Sequence, residues 1–199
     1  SSDLAVLTLG AAVFRHEIRD LVGAVAVVGG AGFDSRYGPI GEGGVGRRRM
    51  NLDLARVYGV DLSARWSWWR ELTLTGSAVW QDAEVRRAGM APTLVGKRLK
   101  QVPRRFALLG ATWQAPAKLM VMPRVRYLGQ QYTDEENRRP LGRAVVLDLG
   151  VSRVMNKNLE LHLTVENVGD VRLETGRSGD HVIRVGTPRL TLGGLRGKW

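Results

Sequence analysis

Residues 50–68 read Met50-Asn51-Leu52-Asp53-Leu54-Ala55-Arg56-Val57-Tyr58-Gly59-Val60-Asp61-Leu62-Ser63-Ala64-Arg65-Trp66-Ser67-Trp68. The even positions are apolar or aromatic throughout, Arg56 excepted, while the odd positions carry Asn51, Asp53, Asp61, Ser63, Arg65 and Ser67. Successive strand side chains point to opposite faces, so this period of two predicts one long strand with a greasy face and a polar face. Strands of soluble proteins usually run to roughly 3–10 residues. A taller, two-faced strand fits the wall of a membrane barrel better than a sandwich, with even positions from Leu52 to Trp66 toward lipid and odd positions from Asn51 to Arg65 toward the lumen.

Similar stretches flank it. Strands are expected at Leu4–Phe14, Ile18–Val28, Glu71–Asp82, Arg104–Gln114, Leu119–Tyr132, Arg143–Val154, Leu159–Asn167 and Thr187–Trp199, about nine in all. The gaps alternate in length. Short ones fall at Arg15–Glu17, Trp69–Arg70, Ala115–Lys118 and Met155–Asn158; long ones at Gly29–Gly44, Ala83–Pro103, Thr133–Gly142 and Val168–Gly186. Antiparallel strands with tight turns at one end and long loops at the other are the pattern of outer-membrane barrels. Trp66, Trp68, Trp69, Trp113 and Trp199 all fall at the short-turn end, and Trp80 toward the long loops. Indoles gather at a membrane–water boundary because the ring is apolar and its N–H needs a partner. A soluble, tryptophan-rich core has no reason to hold them at one level.

Composition agrees. The chain has 199 residues, 44% of them hydrophobic, and its mean hydropathy is −0.15. No apolar run reaches the roughly 18 residues of a transmembrane helix, which leaves barrel strands untouched because their alternation averages out. Cysteine is absent, so disulfides and thiolate metal sites are excluded. His16, His162 and His181 lack ligand spacing, and no metal or other cofactor is expected.

Gly41-Glu42-Gly43-Gly44-Val45-Gly46 matches G-x-G-x-x-G, but a dinucleotide site needs a helix after it and here Arg47–Asn51 leads into the long strand. Glu160, His162, Thr164 and Glu166 share a strand face, as a polar lumen lining requires. No nucleophile–base or paired-carboxylate arrangement stands out, so no enzyme is expected.

The net charge is +11. Its arginines cluster at Arg47-Arg48-Arg49, Arg86-Arg87 and Arg138-Arg139, in long loops or at strand ends beside them, with further basic pairs at Lys97-Arg98 and Arg104-Arg105. Neither a recognition helix nor a stacking platform accompanies them, which argues against nucleic acid. At the outer mouth of a barrel they would draw in anionic ligands or hold lipopolysaccharide phosphates; a merely solvated rim is the alternative. Ligand contact is expected at the arginines of the first three clusters, and membrane-interface aromatics at Trp66, Trp68, Trp113 and Trp199.

Five motifs resemble one family. Asn51-Leu52-Asp53-Leu54-Ala55-Arg56-Val57-Tyr58-Gly59-Val60-Asp61 is similar to the "N…A-x-x-Y-G-x-E" strand of TonB-dependent receptors, with Asp61 for the commoner Glu. Leu94-Val95-Gly96-Lys97-Arg98-Leu99 before Pro103 resembles "L-x-G-K-x-L-x-x-x-P", and Tyr127–Asp134 resembles "R-Y-x-G-x-x-Y-x-D". Val165–Asp170 is similar to "V-x-N-L-x-D" and Gly186-Thr187-Pro188-Arg189 to "G-x-P-R". The carboxyl end is aromatic at Trp199, with Gly197 where a larger apolar residue is usual.

The resemblance implies the C-terminal part, residues 1–199, of a barrel of about 22 strands with a plugged lumen. The plug domain and TonB box are expected upstream of Ser1. It further implies an outer-membrane importer energised by TonB, whose cargo is a scarce chelate, foremost a ferric siderophore, and which meets outer-membrane lipids and lipopolysaccharide. The alternatives are an autonomous porin-like barrel for passive diffusion and a soluble basic β-domain that binds polyanions.

Overall fold

Alternating side chains carry the chain back and forth as one antiparallel sheet. The computed structural model describes residues 5–36, 38–42, 44–178 and 182–197. Leu4, His181 and Trp199 therefore lie outside the described residues, as does Gly43 of the glycine-rich loop. Eight strands pair in sequence order: β1 (Val6–Gly29), β2 (Val45–Trp69), β3 (Leu72–Arg87), β4 (Arg105–Ala115), β5 (Leu119–Leu128), β6 (Ala144–Val154), β7 (Leu159–Glu166) and β8 (Leu190–Gly197). Neighbours in sequence are neighbours in space, the up-and-down order of an outer-membrane barrel wall. The outer edges of β1 and β8 pair with no further strand among the described residues.

Two expectations are corrected here. The first concerns strand number: residues 4–14 and 18–28 were expected to be a hairpin, but β1 runs unbroken over 24 residues and pairs with β2 along its length. The charged triplet Arg15-His16-Glu17 imitates a turn, yet it is strand. Arg15 and Glu17 lie on one face, where the Glu17 carboxylate accepts hydrogen bonds from Arg15 (3.0 Å) and Arg56 (3.1 Å), while the His16 ring lies on the other beside Phe14. The wall therefore has eight strands rather than nine. With that turn removed, the alternation of long and short connections still holds: long before β2, β4, β6 and β8, short before β3, β5 and β7.

Register makes the two faces explicit. One row reads Ala11, Leu62, Ala78, Ala107, Tyr127 and Val145 across six strands. Another, on the opposite face, reads Thr8, Arg65, Thr75, Gly110, Arg124 and Asp148. The apolar face is bare: Val13 is 84% exposed and Leu109 61%. A soluble monomer rarely leaves so wide an apolar face in water, whereas a barrel needs one against lipid. On β2 this face runs from Tyr58 to Trp68, about ten residues, the length a tilted strand needs to cross a bilayer. Trp66, Trp68 and Trp69 stack at its lower border with ring centroids 4.6 and 4.8 Å apart, and Trp113 stands opposite Leu72 at the same end. Tyr58, Trp80 and Tyr127 mark the upper border on the same face.

The second correction is Leu52. It was expected toward lipid and is buried instead, packed with Val25, Val85, Ala88, Ala91 and Leu94. Above the upper aromatic border the wall has left the bilayer, and the loop after β3 folds down on it. The long connections carry structure of their own: short ribbons Gly32–Asp34 with Gly38–Ile40, Gln131–Tyr132 with Pro140–Leu141, and Glu174–Arg177 with Ile183–Val185, and a single 3-10 turn at Pro92–Leu94.

Candidate functional site: a cationic cavity among the long loops

Asp134 is the hub of the loop between β5 and β6. It is 2% exposed, and its carboxylate accepts the N–H groups of Arg138 (2.9 Å) and Arg139 (2.8 Å). This ties the loop into a tight turn by its own backbone, so the two guanidinium groups are left for other partners. The two following acids are also committed. Glu135 accepts the Ala24 N–H (2.9 Å) and the Lys100 ammonium (2.7 Å), and Glu136 accepts the Ala26 N–H (2.8 Å). Backbone donors on the outer edge of β1 are thereby satisfied by carboxylates, as an exposed strand edge requires. Asn137, at φ 59°, accepts the Arg98 N–H (2.7 Å) and donates to the Arg98 carbonyl (2.9 Å). It serves Arg98 as a strand partner would and fastens this loop to the loop after β3.

That second loop is held by backbone pairing. Val85 N–H donates to Lys97 O, Gly96 N–H to Val85 O and Leu99 N–H to Ala83 O, all at 2.9 Å. Gly96 sits at φ +80°, where a side chain would be strained. The loop therefore extends the β3 ladder above the point where β4 departs, and it delivers Lys97 beside the first loop.

Arg47, Lys97, Arg138 and Arg139 consequently line one cavity of about 480 Å³, with Thr93 and the Val25–Gly29 end of β1. Its acids, Asp134 and Glu136, are the two already engaged by backbone N–H groups. Arg47 lies 3.8 Å from Glu135, and Lys97, Arg138 and Arg139 make no ion pair within 4.0 Å among the described residues. Four cations against two carboxylates leave the lining with a positive excess, and three of those cations have no carboxylate partner among the described residues, so the hollow attracts an anionic guest.

Of the arginines singled out in the sequence, the cavity gathers Arg47, Arg138 and Arg139. Arg48 and Arg49 stand exposed on β2, opposite Val25 and Ala24. Three successive strand residues cannot converge, because alternate side chains leave by opposite faces. Arg86 pairs with Glu84 at 3.3 Å, and Arg87 stands opposite Leu54. Sequence reasoning met Asp134 only as the end of the motif at residues 127–134 and passed over Asn137, although Asp and Asn commonly cap nearby backbone in turns.

A second knot secures the last long loop. Asn167, buried and at φ 51°, accepts the Val171 N–H (2.8 Å) and donates to the carbonyls of Val171 (2.9 Å) and Thr187 (3.3 Å). Asp170 accepts the Arg189 N–H (2.9 Å). The motifs at residues 165–170 and 186–189 are thus two halves of one clasp that closes the loop on itself. On the polar face Asp148 accepts the Asn167 N–H (3.0 Å) and pairs with Arg124 (3.2 Å) and Arg126 (2.9 Å), anchoring that clasp to the wall. Among the described residues no cluster of three metal-ligating side chains occurs.

Over residues 3–168 the sequence matches the family model described as TonB dependent receptor-like, beta-barrel. No curated protein matches it. Among solved structures, the siderophore receptor PiuA from Acinetobacter baumannii aligns with a TM-score of 0.74 at 20% identity, over 97% of this chain and 26% of its own. The ferric yersiniabactin uptake receptor FyuA from Yersinia pestis aligns with a TM-score of 0.72 at 21% identity, over 98% and 27%. The copper transporter OprC aligns with a TM-score of 0.69 at 14% identity, over 96% and 28%. The chain thus spans about a quarter of the length of these structures, and the likeness is one of fold. The chain belongs to the TonB-dependent receptor-like β-barrel family, whose barrels stand in the outer membrane of Gram-negative bacteria.

Proposed function

We propose that this barrel wall belongs to a receptor that takes up a scarce anionic metal chelate, foremost a ferric siderophore, through a plug energised by TonB. The observation that carries the reading is the cavity where Arg47, Lys97, Arg138 and Arg139 meet on the side of the long loops. Ferric siderophore complexes commonly bear negative charge, and guanidinium groups held by a folded scaffold bind such oxygens as charge-assisted donors. PiuA and FyuA are named for siderophore uptake, and OprC for copper, so the fold leaves the cargo open and the loops must choose it. Uptake by this route involves binding and plug rearrangement, with no covalent step.

The test is tryptophan-fluorescence titration of the whole receptor with a panel of anionic and neutral ferric chelates. Replacing Arg47, Arg138 and Arg139 together by alanine is expected to weaken the best anionic chelate by at least about a hundredfold, since hydrogen bonds to charged groups contribute about 1.5–3 kcal/mol each. Neutral chelates should change little. Equal affinity of wild type and variant for the anionic chelate would remove the cavity from the binding site.

A further inference from the structure

Beside the cationic cavity lies a smaller hollow of about 230 Å³ whose walls are of a different kind. Leu21 and Val22 of β1, Leu52 of β2, Val85 of β3, and Leu99 and Val102 of the loop after β3 line it, with Arg98, Lys100 and Glu135 among them. Gly23 adds bare backbone: a Cβ there would stand 2.9 Å from Leu52 Cδ1 and 3.5 Å from Glu135 Cγ. The polar members are held by protein groups. Lys100 pairs with Glu135 at 2.7 Å, and the Arg98 guanidinium lies 3.8 Å from Asp82 and 5.9 Å from the centroid of the Tyr132 ring. Water entering the hollow meets mostly hydrocarbon, and an apolar cavity of about 150 Å³ stays dry and takes up benzene.

The two hollows share a wall. Glu135, buried at 6% exposure, touches both: Oε1 accepts the Lys100 ammonium, and Oε2 lies 3.8 Å from Arg47 of the cationic cavity. On β1, Gly23 borders the apolar hollow and Val25 the cationic one; on the loop after β3, Leu99 and Lys97 repeat the step. Two residues along a strand cover about 7 Å and return the side chain to the same face. A guest whose charge sits among Arg47, Lys97, Arg138 and Arg139 needs only an arm of that length to reach Leu52 and Leu99.

We propose that the apolar hollow receives a compact hydrocarbon arm, of about the size of a benzyl group, carried by the anionic chelate whose charged core occupies the cationic cavity. The inference rests on the anionic-chelate reading and narrows it to amphiphilic cargo. Leu52 and Val85 belong to the packed core with Val25 and Leu94, and Leu21 and Leu99 lean on that core, so the walls are shaped before a guest arrives and little ordering opposes binding. An arm bearing a charge would lose its hydration against these walls, which selects for an uncharged one.

Isothermal titration calorimetry of the whole receptor tests it with ferric complexes of one anionic citrate dihydroxamate bearing no arm, a benzyl arm or a pyrenylmethyl arm. In wild type the benzyl arm should tighten binding about thirtyfold over the armless chelate, as burial of one phenyl group does. The pyrenylmethyl arm exceeds the hollow and should gain far less. In Val102→Phe, which fills the hollow, the ratio of benzyl to armless affinity should fall to near unity; Val102→Ala, which enlarges it, should keep most of that ratio. Heat-modifiable migration like that of wild type would show that each variant is a folded barrel. Equal affinity for the armless and benzyl chelates in wild type, as when another segment of the receptor fills the hollow, would overturn the inference and leave the cationic cavity as the cargo site. So would a benzyl advantage undiminished in Val102→Phe, or a pyrenylmethyl gain as large as the benzyl gain, the marks of unspecific greasiness. Failure of all three chelates to bind would remove the cargo reading and this inference with it.

Discussion

Single residues at the feet of the loops do work that their neighbours in sequence cannot do. Asn167 holds a left-handed backbone that asparagine tolerates and most residues avoid, and its amide reaches both ends of a loop. Replacing it by alanine leaves the Val171 N–H and two carbonyls without their partners, a local cost of about 1–3 kcal/mol for each group kept from water. In Asn167→Ala, hydrogen exchange at Val171 and Arg189 should quicken together, while amides in the middle of β6 keep their protection. Unchanged exchange at Val171 would show that the clasp is held by something other than this side chain. Gly129 is a different kind of requirement: a Cβ there would stand 2.8 Å from the Arg105 carbonyl oxygen, which accepts the Gly129 N–H. Both residues sit in stretches that the sequence marks as family motifs, yet only the folded chain shows what each holds.

At the scale of elements, the wall was legible wherever two faces alternate without interruption. Val60, Leu62, Ala64 and Trp66 against Asp61, Ser63 and Arg65 fix a face for β2, and the sheet register carries that assignment to its neighbours. Legibility failed where strand leaves the bilayer. Arg15-His16-Glu17 and Leu52 obey the same backbone geometry as the rest, but outside lipid both faces can be polar or both covered, so hydropathy stops reporting direction. Within the band the prediction is sharp. Leu62→Arg should destabilise the folded barrel by about 2–4 kcal/mol, the cost of an arginine near the midplane, measured by reversible urea unfolding of the whole receptor in liposomes. A cost below about 1 kcal/mol would place Leu62 at an interface or toward water.

The molecule as a whole is an arc of eight strands with a bare apolar face, a polar face and long loops gathered at one end. That architecture could be read from periodicity, loop lengths and tryptophan positions. The cavity could not. Arg47, Lys97, Arg138 and Arg139 converge because Asp134, Asn137 and Gly96 bend two loops toward β1, and such folding leaves no periodic trace. The basic clusters of the sequence supplied all four cations, three of them among the expected ligand contacts, and also several arginines that end elsewhere. Charge alone pointed to the end with the long loops and left the choice of side chains to the folding of those loops.

The central claim is that one face of this sheet meets lipid and the other meets water. Spin labels placed singly at residues 60–66 of the whole receptor in liposomes test it most directly, and the cysteine-free sequence makes each introduced thiol the segment's only one. Collision with apolar oxygen should peak at positions 60, 62, 64 and 66, and collision with a polar nickel chelate at 61, 63 and 65. The same accessibility at all seven positions, or the opposite phase, would contradict the account.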